Sequence, residues 1–80
     1  MSKTNYMRLL QMQQGIVEFL ELCEPGRLSR DDNAKLFIGR VIDALQLDLG
    51  APHPNVTNYE AEERARLLER VGAVEDRHFG

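Results

Sequence analysis

Apolar positions recur at helical spacing in three segments, separated by two breaks rich in turn-forming residues. From about Asn5 to Cys23, Tyr6, Leu9, Leu10, Met12, Ile16, Val17, Phe19, Leu20 and Cys23 fall on one arc of a helical wheel, opposite Gln11, Gln14, Glu18 and Glu21. The arc is roughly 180° wide, against ~100° for an ordinary surface helix. Pro25 and Gly26 then suit the central positions of a type II turn, because proline presets φ and glycine accepts a positive one. Ser29 with Asp32 three residues on has the form of a capping box, which predicts a second helix over about 30–48.

On that second helix Ala34, Phe37, Ile38, Val41, Ile42, Ala44 and Leu45 make a core face roughly 160° wide. Leu36 and Leu47 lie almost opposite, about three turns apart, and form a second apolar strip beside Arg40 and Asp43. The segment "GAPHPNVTN" places a proline on each side of His53 and cannot continue a helix. Thr57 and Glu60 supply another capping box and open a third helix over about 58–71. Its stripe of Ala61, Ala65, Leu67, Leu68 and Val71 is narrow, and Glu60 with Arg64 and Glu62 with Arg66 have the i, i+4 spacing of helical ion pairs. These features predict an outer helix that Gly72 ends, followed by a short frayed tail containing His78 and Phe79.

The expected fold is therefore all-α: a single domain over 1–80 with three helices, about 5–23, 30–48 and 58–71, the first two forming an antiparallel hairpin. A narrow third helix covers two broad faces poorly. A chain of 80 residues also buries only about 60% of the surface its unfolded form exposes. Small folds make up such a deficit with disulfides, metals or partner chains. Cys23 is the lone cysteine, so no intrachain disulfide forms, and Cys23, His53 and His78 lack the paired spacing of zinc ligands. Association is then the expected source of burial, with a homodimer pairing two hairpins into a helical bundle. The alternatives are a compact monomer whose exposed leucines are ordinary, and docking of the second strip on a different protein.

The net charge of −3, from 13 acidic and 10 basic residues, argues against a general nucleic-acid binder. The first fifteen residues lack a signal-peptide pattern and no stretch approaches a membrane span, so a cytoplasmic location without membrane contact is expected. No catalytic, cofactor-binding or metal-ligating residues are assigned. Cys23 reads as a small buried hydrophobe, His53 as a solvated loop residue, and Asp31 with Asp32 as companions of a helix start. "NVT" at 55–57 matches a glycosylation acceptor, which has little meaning without a secretory signal.

The opening Lys3-Thr4-Asn5-Tyr6-Met7-Arg8-Leu9 resembles the start of the Hha/YmoA family, small helical partners of nucleoid-associated repressors, over little more than those residues. In size and acidity the chain also resembles small accessory proteins of phages and plasmids, which bind host machines. The expected function is a non-enzymatic interaction module: a dimeric inhibitor or modulator of a bacterial host complex, with a second protein partner. Its contact strip is Leu36, Arg40, Asp43 and Leu47, while Phe37 and Val41 are assigned to the core. The reading from another class is a dimeric DNA-binding regulator, or a modulator of a nucleoid-associated repressor, with Arg64, Arg66, Arg70 and Arg77 on phosphates.

Overall fold

The computed structural model describes residues 5–24, 32–51 and 55–80. The Pro25-Gly26 turn, the Ser29 cap, Asp31 and His53 lie outside the described residues. Those that are described form three helices and no strand: α1 (Asn5–Leu22), α2 (Asp32–Gly50) and α3 (Asn58–Phe79).

The third helix departs most from expectation. Gly72 does not end it, and the segment assigned to a frayed tail is its last two turns. Glycine costs about 1 kcal/mol against alanine inside a helix, but the buried stripe runs straight past it. Glu60, Leu67, Val71, Val74 and His78 are all buried, and at ~100° per residue they lie within an arc of about 60°. Burying a valine stabilises by roughly 1.5–3 kcal/mol, enough to override one glycine. The helix stops instead at Gly80, whose N–H donates to the Asp76 carbonyl. Its start is as the sequence predicts: the Thr57 hydroxyl accepts from the Glu60 N–H at 3.1 Å, and the Glu60 carboxylate accepts from the Thr57 N–H at 2.9 Å.

Nor is α3 an outer helix. It packs on both α1 and α2, whereas those two approach each other more sparsely. The core is Leu10, Val17 and Leu20 from α1, Ile38, Ile42, Leu45 and Leu49 from α2, and Leu67, Val71 and Val74 from α3. One flank of α3 faces α1. There Arg70 binds Glu21 through two hydrogen bonds, at 2.6 and 3.1 Å, and Arg77 donates to the Glu21 carbonyl at 3.0 Å. Buried His78 meets the Leu20 carbonyl at 3.2 Å. A carbonyl only accepts, so Nε2 carries the proton. The other flank faces α2, where Gln46 donates to Glu75 and Arg64 to the Ala51 carbonyl. Between α1 and α2, buried Gln13 donates to Asp48 at 2.7 Å.

The surface ion pairs also differ from the i, i+4 scheme. Arg66 pairs with Glu63, and Arg64 reaches the end of α2. A side chain able to cap a carbonyl or meet a carboxylate one turn back gains as much as an exposed i, i+4 pair, which contributes only a few tenths of a kcal/mol.

Candidate interaction surface

Helix α2 carries large apolar side chains on two opposite faces, only one of which is buried. Its core residues Ile38, Ile42, Leu45 and Leu49 occupy an arc of about 60° and are at most 7% exposed. On the opposite side Leu36 is 56% exposed, Phe37 65% and Leu47 78%. Arg40, Asp43 and Ala44 lie among them and are also exposed. All six fall within about 120°, centred opposite the core.

The four residues singled out as a contact strip, Leu36, Arg40, Asp43 and Leu47, therefore share one solvent-facing surface. Val41 is half-buried against the core, as expected. Phe37 is not core. Its position at the edge of the apolar arc would be covered only if α1 lay closer to α2; with α3 packed on both, that edge stays open.

The same cause leaves part of the α1 arc uncovered. Leu10, Gln13, Val17 and Leu20 are buried, while Met12, Ile16 and Phe19, assigned to the buried arc by spacing alone, are exposed. They lie on the flank of Gln13 away from Glu21, and so away from α3. Leu22, on the outer side, is 84% exposed.

Beside the α2 strip is a concavity of about 370 Å³, which Lys35, Leu36, Gly39, Arg40 and Asp43 line from α2 and Phe79 from α3. It exists because α3 continues past Gly72 and delivers Phe79 to Gly39, where a β-carbon would stand 3.8 Å from the ring. The Lys35 ammonium lies 5.9 Å from the ring centroid, within cation–π range. Spacing placed Phe79 in a tail, so this wall was not anticipated.

Comparison with known proteins adds no name to this surface. No family model, curated protein or solved structure matches the chain.

The arginines proposed for phosphate contact are engaged within the fold. Arg70 and Arg77 hold α1, Arg64 caps α2, and Arg66 pairs along its own helix. Among the described residues no three His, Cys, Asp or Glu side chains come together as a metal site. No described helix is long and apolar enough to cross a membrane. Cys23 is half-buried.

The hydrogen bonds from Arg70 hold the Glu21 carboxyl below its ordinary range, against a smaller opposing effect of burial. The folded chain thus binds this proton less readily than the unfolded chain does. Its stabilising contribution is present above the unfolded pKa of ~4.3 and is lost as pH falls through the lower folded value. Glu21→Gln is expected to cost stability at pH 7 and progressively less below about pH 4, read from thermal midpoints of both proteins between pH 7 and 2.5.

Proposed function

We propose that the chain is a non-enzymatic protein–protein interaction module, working as a homodimer through the outward face of α2. The dimer would inhibit or modulate a bacterial host complex, in the manner of phage and plasmid accessory proteins, and would do so in the cytoplasm. The observation that carries the reading is that face: three large apolar side chains, each more than half exposed, flank an arginine and an aspartate on the side of α2 opposite its core. Contiguous apolar surface with a charged centre is suited to docking a helix. The role as a modulator is inferred from the small size and net acidity of the chain. The DNA-binding alternative would draw on four arginines that each also donate within the fold.

Light scattering over low to high micromolar concentration tests the reading. Two chains per particle are expected for the native sequence. Leu36→Glu combined with Leu47→Glu should give one chain per particle with far-UV helicity retained, since neither side chain belongs to the core. A native mass of one chain throughout would refute the homodimer, and a double variant that stays dimeric would refute the face.

A further inference from the structure

The outward face of α2 has a symmetry that a docking surface for a foreign helix would not need. Leu36, Arg40, Asp43 and Leu47 are spaced four, three and four residues apart, so the pattern is mirrored about the point between Val41 and Ile42. In a two-fold antiparallel helix pair centred there, each position lies level with the one at equal distance on the other side of the centre. Leu36 then meets Leu47 of the second copy, and Arg40 meets its Asp43. Phe37, at the edge of the face, comes beside the second copy's Ala44, a small residue on the same edge. A parallel pair would instead oppose Arg40 to Arg40 and Asp43 to Asp43, and like charges held face to face are unfavourable.

The concavity beside the strip fits the same register. Asp32, Lys35, Leu36 and Gly39 lie at positions i, i+3, i+4 and i+7, the four corners of a hole into which a knob from a facing helix inserts. The hole is walled on one side by Phe79 and kept open by the missing side chain of Gly39. Its centre lies between Lys35 and Leu36. The position level with that centre on an antiparallel copy lies between Leu47 and Asp48, which brings Leu47, at 78% exposed, against Leu36 at the rim of the hole.

From this self-complementarity in charge, size and shape we infer that the occupant of the surface is a second copy of this chain, with the two α2 helices antiparallel about a two-fold axis between Val41 and Ile42. The inference rests on the proposed interaction surface and specifies its partner and register. An isologous interface requires that residue i touch j while j touches i. This face meets that condition at both its apolar ends and its charged centre.

Charge exchange tests the register in the full-length chain. Arg40→Asp and Asp43→Arg, made singly, each place like charges across the axis and should weaken dimerisation at least tenfold by sedimentation equilibrium. The two changes in one chain restore opposite charges at both contacts and should return the dissociation constant to within about threefold of the native value. Cross-linking supplies a second readout, in a Cys23→Ala background with a short bis-maleimide. An equimolar mixture of Leu36→Cys and Leu47→Cys chains should form a covalent pair. Neither chain alone should do so, because like positions would stand ~16 Å apart along the axis at 1.5 Å per residue.

A dimer in which the double exchange fails to restore association, or in which Leu36→Cys cross-links to itself, overturns the register and leaves the interaction module standing. A native chain that stays monomeric at every concentration overturns both.

Discussion

Val74→Asp is expected to unfold most of the protein at 37 °C, and Ala73→Asp, one residue away, to leave it folded. Val74 is 1% exposed and lies between Val71 and His78 on the buried stripe of α3, whereas Ala73 is exposed. Valine and aspartate have similar helix propensities, so the difference between the two variants comes from burial. The Val74 change loses the transfer energy of the valine and places a carboxylate in the apolar core. An unpaired buried charge costs about 3–5 kcal/mol. The whole fold of an 80-residue chain is worth on the order of 4–12 kcal/mol, at ~0.05–0.15 per residue. Ala73→Asp pays only a propensity difference of less than about 1 kcal/mol. A buried aspartate binds its proton more readily folded than unfolded, so acidification through its raised folded pKa should recover part of the lost stability. Thermal unfolding followed at 222 nm checks all three statements. Equal, small effects at both positions would mean that the residues beyond Gly72 are a dispensable tail.

That contrast also locates what spacing alone could and could not reveal. The all-helical class, the Thr57 and Glu60 capping box, and the burial of Ile38, Ile42 and Leu45 opposite exposed Leu36 and Leu47 were legible, because each depends on residues within a few turns of one another. The continuation of α3 was legible in principle. Leu67, Val71, Val74 and His78 keep one period throughout, and the glycine between them carries a cost smaller than the burial it interrupts. The fates of Phe37, Met12, Ile16 and Phe19 were not legible. All four belong to arcs wide enough to be covered from either side, and which side is covered depends on where α3 settles. Gln13 shows the same limit from the opposite direction: a polar residue lies buried at the centre of the α1 stripe because Asp48, thirty-five positions away in sequence, arrives to accept its hydrogen bond. No local pattern announces such a partner. For the candidate surface, the contact strip was visible as a pattern and its exposure followed from geometry, whereas the concavity beside it depended on Phe79 and so on the unexpected length of α3.

Helix α2 permits a sharper experiment, since its two faces carry apolar residues of similar size with opposite fates. Ile42→Ala is expected to destabilise the protein by about 2–5 kcal/mol, the range for truncating a large aliphatic side chain in a packed core. Ile42 is 1% exposed and belongs to the core that all three helices build, so little collapse can fill the void. Phe37→Ala removes a larger side chain from the same helix, yet in the isolated chain it should cost almost nothing. The ring is 65% exposed, and alanine is the better helix former by about 0.5 kcal/mol. The two variants therefore separate stability of the fold from stability lent by association. Ligation of the native state by a second copy raises the apparent unfolding midpoint by mass action and makes it depend on protein concentration. For Ile42→Ala the deficit should be large even at the lowest concentration, where chains are single. For Phe37→Ala it should be near zero there and grow as concentration rises through the dimerisation range, because only then does the native ring have a neighbour to lose. A Phe37→Ala deficit equally large at every concentration would place the ring in the core of the single chain. A deficit absent at every concentration would remove Phe37 from the interface and confine the contact to Leu36, Arg40, Asp43 and Leu47.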